Sequence, residues 1–416
     1  MAKKICVVGA GIVGLACSAS LALEGHDVLI LDPREPGTGS SAGNPGGISA
    51  SSVLPAASPG VLAKVPGWLL DRDGPLTIRP GYFPALAPWL LRFVASSRPQ
   101  TYQAGIQALW ALTSRGKDSW ERLLGRTGAS ELLLKSGNLI VYRSQQQYDA
   151  ETASWNKRAA MGLNVKEVPE AQLREMVPQL SPGYRMARMV HDNARLRDPL
   201  EVSQRLARWI AHRGSILREE ARQIVLDSSG RPTVVTPNRR ISVDAVVIAA
   251  GAASRKLATQ VGVRAPLQPE RGYSITYEHT NIRLGLPVFS PSEKIMVSPL
   301  GDGLRLAGSA EFSGPGYPPN WKRAESLERL GRAILPDLPP LREARKWAGD
   351  RPSTPDGLPL LGPSCRSPNV ICAFGHGHLG VTSAAVTAES VTALIAGREP
   401  ALDLSPYRTD RFGFIV

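Results

Sequence analysis

The chain has 416 residues, 43% hydrophobic and 20% charged, which is globular composition with room for two or three domains. Its net charge of +13 comes from scattered arginine, without a Lys/Arg-rich tract or nucleic-acid motif, so it argues for solvated charge or an anionic membrane surface and against a nucleic-acid partner. Four cysteines (Cys6, Cys17, Cys365, Cys372) show neither metal-ligand spacing nor a disulfide framework, and no apolar run reaches the roughly 18 residues of a membrane span.

Residues 5–14 form an apolar strand running into a glycine triad at Gly9, Gly11 and Gly14. A helix follows to Glu24, then a second strand, Val28 to Leu31, that ends at Asp32. Strand, Gly-x-Gly-x-x-Gly, helix, strand, acid is the dinucleotide-binding fingerprint in its full context. Gly9 permits the tight turn, Gly11 lets backbone approach a pyrophosphate, and Gly14 lets helix pack on strand. The helix start at Ile12 and Val13 offers amides to phosphate, and Asp32 can accept from ribose hydroxyls. Pro33 and Arg34 read as a surface turn, where Arg34 could in principle meet a 2′-phosphate, and both stand with Asp32 as candidate cofactor contacts. The fingerprint alone leaves FAD and NAD both open.

Residues 36–60 are rich in Gly, Ser, Ala and Pro and read as loop. Residues 62–94 carry Trp68, Leu69, Leu70, Phe83, Leu86, Trp89, Leu90, Leu91 and Phe93 between prolines, which predicts short helices. An amphipathic helix is expected over 105–125, two strands around a turn over 132–142, and helices over 145–162 and 200–213. Ser215–Leu217 and Gln223–Leu226 are strand-like. Val243–Ala249 reads as a parallel strand buried on both faces, leading to Gly251 as a further candidate cofactor contact. Strands are expected again over 271–277 and 294–308, a helix over 322–334, a strand at Asn369–Phe374, a glycine turn over 375–380 and a helix from about 382 to 396. The pattern predicts a discontinuous nucleotide domain with other segments inserted.

The strings VVGAGIVG (7–14), SSAGNPGGIS (40–49), PLTIRP (75–80), RGYSIT (271–276), LAGSAEFSG (306–314), WAGDRPSTPDGLPLLG (347–362) and GHGHLG (375–380), in that order, resemble the FAD-dependent D-amino-acid oxidase superfamily. The likeness is nearest to the bacterial D-amino-acid dehydrogenase branch. It implies an α/β fold, α+β overall: a Rossmann-like FAD-binding domain from 1–60, 195–262 and 347–416, and a mainly antiparallel-sheet substrate domain from 61–194 and 263–346. It also implies FAD and oxidation of an amino acid to an imino acid that hydrolyses to a 2-oxo acid.

The resemblance assigns Arg351 to the substrate carboxylate, which a guanidinium can bind bidentately. Asp350, where relatives carry an apolar residue, faces solvent or pairs with Arg351. His376, Gly377, His378, Leu379 and Gly380 are placed against the flavin ring, with metal binding by the two histidines disfavoured. Ser40, Ser41, Asn44, Gly46, Gly47 and Ile48 are placed over the pyrophosphate and flavin. Tyr273, Met296 and Glu311 are placed beside the flavin face, Tyr273 as a second carboxylate contact where Met296 cannot serve. The expected acceptor is a quinone. The expected location is cytoplasmic, with a peripheral position at the inner membrane face. Oxygen-using oxidases, dehydrogenases of a cyclic D-imino acid, and a non-catalytic flavoprotein subunit are the alternatives.

Overall fold

The computed structural model describes residues 1–413 apart from 72 and 302. Residues 72, 302 and 414–416, which fall within the predicted 62–94 stretch, the 294–308 strands and the C-terminal end of the FAD domain, lie outside the described residues.

One layer is a six-stranded sheet in the spatial order Ser215–Leu217, Asp27–Leu31, Lys4–Val8, Ala245–Ile248, Val370–Phe374, Leu360–Pro363. All neighbours are parallel except the last pair. Its central strands are apolar without a break because both faces are covered. Ile5, Val7, Val28, Ile30 and Val247 face the helices Ile12–Leu23, Pro199–Ala211 and Gly380–Ile395. Their neighbours Cys6, Val8, Leu29, Leu31, Val246 and Ile248 face the helix Ser254–Gln260 and a small antiparallel sheet carrying Ile224, Val234 and Ile241. Each such side chain contributes roughly 1.5–3 kcal/mol on burial. Cys6 and Cys17 are fully buried, and burial pushes both thiols up to about 12.

The second layer is a nine-stranded, mostly antiparallel sheet. Its edge strand Arg345–Ser353 pairs along its whole length with Gln268–Tyr277, which pairs in turn with Gly303–Phe312. The domain boundary set at 347 therefore falls inside a strand of this second sheet. The helices Pro99–Thr113 and Gly116–Arg126, assigned by sequence to the substrate domain, pack Leu109, Leu112, Trp120 and Leu124 into the nucleotide-domain core.

Three local expectations change. The helix expected over 105–125 is two helices, broken at Ser114 and Arg115. Leu133–Leu134 and Asn138–Tyr142 are both strands, but they join different sheets rather than each other. The proline-rich stretch holds helices Val61–Leu70 and Phe83–Ser96, with Pro66 and Pro88 inside them. Each of these two interior prolines forfeits a helical hydrogen bond. The sequence's apolar cluster there is divided. Leu86 and Trp89 are buried against Phe312, whereas Leu69, Leu70, Phe83 and Leu91 are exposed.

Candidate active site

A cavity of about 1180 Å³ runs from the carboxyl ends of the parallel strands, at Asp32 and Gly251, to the second sheet, at Arg351 and Met296. Every candidate catalytic or cofactor-binding residue named from the sequence lines it except Gly14, Gly46, Ile48 and Glu311. Those four are placed otherwise. Gly14 packs on the Gly9 carbonyl, where a Cβ would stand 1.9 Å away. Gly46 turns the 40–49 loop at a φ of +84°. Ile48 is buried in the core. Glu311 is buried behind Tyr273 and accepts a hydrogen bond of 2.6 Å from its hydroxyl.

At the strand end the structure builds an anion cradle. Gly9 takes a φ of +112°, and a Cβ on it would stand 2.4 Å from the Ala249 carbonyl oxygen. Gly11 differs. Its φ is −74°, and the nearest atom to a Cβ is Ser41 Oγ at 3.7 Å. Nothing in the protein requires glycine there, but the space a side chain would fill is the cavity at the start of the helix. The Ile12 amide donates to Ser41 Oγ at 3.0 Å. Among the described residues no hydrogen bond uses the proton of that hydroxyl, which leaves it for a ligand. Asp32 accepts from the Ala10 and Arg34 amides, both at 2.9 Å, so its carboxylate is fixed at the end of its strand. Each carboxylate oxygen keeps lone-pair capacity. Arg34 itself is mostly exposed, 3.7 Å from Asp32.

The 40–49 loop is tied to the second sheet. Ser40 Oγ donates to the Asp350 carbonyl at 2.5 Å, and the Asn44 carbonyl accepts from the buried Arg305 at 2.7 Å. The Trp347 indole lies over Gly43, where a Cβ would overlap the ring at 1.8 Å. Gly47 pairs with Arg195 in a short antiparallel ladder.

At the far end, ladder register decides the chemistry. Glu270 stands opposite Arg351, and Arg271 opposite Asp350. Residues opposite each other share a face, so two ion pairs form on opposite faces of the sheet. Arg271 Nε meets Asp350 Oδ1 at 3.0 Å and its Nη1 donates to the Tyr317 carbonyl, so Asp350 pairs with Arg271 and not Arg351. Arg351 Nη1 donates to Glu270 Oε1 and to the Ser309 carbonyl, both at 2.9 Å. That carbonyl is presented by a break in register opposite Arg271–Tyr273, with Ser309 at a φ of +62°. The guanidinium rests on Gly272, where a Cβ would stand 2.3 Å from Nη2. Among the described residues no hydrogen bond engages Arg351 Nε or Nη2, and the side chain is 24% exposed, toward the cavity. A guanidinium edge held this way can take a carboxylate in two parallel hydrogen bonds.

Glu270 also accepts from Ser353 Oγ at 2.7 Å. Burial opposes its charge, but Arg351, the Ser353 hydroxyl and nearby His378 outweigh burial and hold its pKa below the ordinary carboxylate range. The two histidines of the glycine turn part ways. His376 is buried, hydrogen-bonds Thr387 Oγ1 at 2.9 Å, and burial lowers its pKa to about 4. His378 is exposed to the cavity; desolvation lowers its pKa, against the pull of Glu270. Tyr273 is buried, its hydroxyl shared between Glu311 and the Asn320 amide at 2.8 Å, and burial raises its pKa. Met296 lines the cavity from the neighbouring strand. Glu270, Ser353 and Ser309 carried no sequence signal as site residues. Among the described residues no three His, Cys, Asp or Glu side chains converge on a metal site, and no helix is long and apolar enough to cross a membrane.

Comparison with known proteins agrees with this architecture. The chain is 35% identical to a D-amino-acid oxidase of Bradyrhizobium diazoefficiens over 99% of both chains. It is 34% identical to D-amino acid dehydrogenase 2 of Ralstonia nicotianae, over 98% of this chain and all of that one. Among solved structures, glycine oxidase from Geobacillus kaustophilus superposes with a TM-score of 0.75 at 23% identity, over 98% of each chain. The family described as FAD dependent oxidoreductase matches residues 4–394. The cradle at Gly11, the fixed acid at Asp32 and the long cavity fit FAD, and the chain belongs to that FAD dependent oxidoreductase family.

Proposed function

We propose that the chain oxidises D-amino acids to imino acids, which water converts to 2-oxo acids, with electrons passing to a quinone-type acceptor. The observation that carries this reading is Arg351, which faces the cavity with Nε and Nη2 unengaged among the described residues while Glu270 and the Ser309 carbonyl hold Nη1. Such an edge fits a substrate carboxylate. The relatives named D-amino-acid oxidase and D-amino acid dehydrogenase support the substrate class.

Bound FAD supplies the two-electron acceptor for the hydride that leaves the α-carbon. The chain's own residues would position that carbon. Arg351 fixes the carboxylate, and Gly272 and the Ser309 turn fix Arg351. Met296 shares the sheet face of Glu270 and Arg351 and walls that end of the cavity, whereas Tyr273 projects to the opposite face, where Glu311 and the Asn320 amide hold its hydroxyl, so it does not serve as the expected second carboxylate contact. The amine must be neutral before hydride departs. No side-chain base is required for that, and orientation with exclusion of water supplies the catalysis. On the nucleotide side, Gly9, Gly11, the helix start, Ser41 and Asp32 would hold the dinucleotide.

The acceptor reading rests on the surface. Leu62, Leu69, Leu70, Phe83 and Leu91 are exposed on two neighbouring helical segments of a basic chain, with Leu70 87% exposed. Apolar insertion plus attraction to anionic lipid would bring the enzyme to a membrane quinone. An oxygen-using oxidase is the second reading, favoured by the name of the 35%-identical relative. Anaerobic titration of the yellow protein with a panel of D- and L-amino acids tests the substrate class. Flavin bleaching by D-amino acids is the expected result, and no bleaching by any amino acid overturns the reading. Peroxide release in air that matches the rate of dye reduction would decide for the oxidase.

A further inference from the structure

Arg351 enters the cavity already neutralised. Glu270 Oε1 lies 2.9 Å from its Nη1, and Ser353 locks the other carboxylate oxygen at 2.7 Å. Glu270 is 20% exposed and itself lines the cavity. A carboxylate that only served to order Arg351 would need no opening to the ligand space. On the other face of the strand Arg271 and Asp350 neutralise each other, and Lys294 stands over the Trp68 ring at 4.0 Å. The anchoring site therefore presents a neutral Arg–Glu pair, not a bare cation.

We infer that Glu270 is a specificity-determining residue that selects amino acids over simple carboxylates by matching a zwitterion with a zwitterionic pair. A ligand bearing only a carboxylate gains Arg351 but brings its charge toward Glu270, at close quarters and away from bulk water. Like charges so placed repel, and repulsive elements of this kind set specificity. An amino acid carries an ammonium one carbon from its carboxylate, which cancels that repulsion on binding. Release of the ammonium proton then follows binding rather than preceding it. This deepens the amino-acid reading above and rests on it.

The test uses the FAD-loaded enzyme. The best amino acid of the panel is compared with its des-amino carboxylate (propanoate if the amino acid is D-alanine). The amino acid is followed by KM, and the carboxylate by competitive inhibition and by perturbation of the flavin absorbance. The wild-type enzyme is expected to hold the amino acid at least tenfold more tightly than the carboxylate. Glu270→Gln keeps the shape and removes the charge, so it should shrink that ratio at least tenfold, mainly by tightening the carboxylate. Glu270→Asp retains the charge and should keep the ratio within about threefold of wild type. Equal weakening of both ligands in Glu270→Gln, which loss of Arg351 ordering alone would give, overturns the inference. So does a wild-type enzyme that binds the two ligands equally, which keeps the inference refutable if Glu270→Gln does not fold. A wild-type enzyme that binds neither ligand would instead overturn the amino-acid reading itself, and this inference with it.

Discussion

Replacing each glycine of the triad separates what the fold needs from what FAD needs. A methyl at Gly14 would stand 1.9 Å from the Gly9 carbonyl oxygen, and one at Gly9 would stand 2.4 Å from the Ala249 carbonyl oxygen with a φ of +112°. Both contacts are with backbone, so the helix must move off the sheet, at a cost of roughly 3 kcal/mol. Gly11 is different, with a φ of −74° and its nearest neighbour at 3.7 Å. Gly11→Val keeps an ordinary extended backbone. Lower chain entropy in the unfolded state would stabilise the variant by roughly 0.4–1 kcal/mol. A poorer helix cap would cost about as much. The apoprotein should therefore melt within a degree or two of wild type. FAD affinity should fall at least ~100-fold, about 2.7 kcal/mol, because the side chain fills the space where phosphate meets the helix amides. Melting of the apoproteins by circular dichroism and titration with FAD by flavin fluorescence read the two effects separately. A Gly11→Val protein that binds FAD with wild-type affinity refutes the reasoning, as does a Gly11→Val apoprotein as destabilised as Gly14→Ala.

Three further outcomes are expected. Arg351→Ala should lower kcat/KM by roughly 2–5 kcal/mol of transition-state stabilisation, whereas Arg351→Lys, which keeps charge but loses the planar fork, should mainly raise KM; near-normal turnover by Arg351→Ala would remove this residue from the site. His376 is buried neutral with a pKa of about 4, while the unfolded chain binds the proton near 6.5. The unfolded state thus holds the extra proton between these values, so stability is complete above about pH 6.5 and falls by about 3 kcal/mol as pH drops to 4. Denaturant midpoints at pH 7 and 4.5 should show this loss, and His376→Gln should flatten it. Finally, sedimentation with anionic vesicles should retain the protein at low salt and release it as salt rises. Leu70→Glu with Leu91→Glu should abolish retention without altering dye-coupled turnover, and binding unchanged in that double variant would remove these side chains from the membrane contact.

The nucleotide layer was legible because its signals are local. A continuous apolar run, a glycine triad and an acid within the first 32 residues each report their own neighbourhood, and the parallel sheet follows. The helix breaks were less legible. Ser114 and Arg115 carry no proline or glycine before Gly116, and Pro88 sits inside a helix whose Leu86 and Trp89 are held by Phe312. Tertiary burial there outweighs one missing hydrogen bond.

The same distinction explains what could and could not be read of the site. Arg351 was legible because its string is a contiguous motif, but its counter-ion was not, since Glu270 lies 81 residues away in the chain and meets it only through strand register. A one-residue slip of that ladder would put Arg271 opposite Arg351 or Pro269 opposite it, and the charge of the anchoring site would change completely. The expected strand began at 271, one residue too late to include Glu270 in the ladder. Asp350 was misjudged for the complementary reason. Adjacent to Arg351 in sequence, it points to the opposite face of the strand and pairs with Arg271. Sequence adjacency on a strand therefore argues against a shared site, and cross-strand register argues for one. Register assigns Glu270, and not Asp350, as the acid that a substrate carboxylate would encounter beside Arg351.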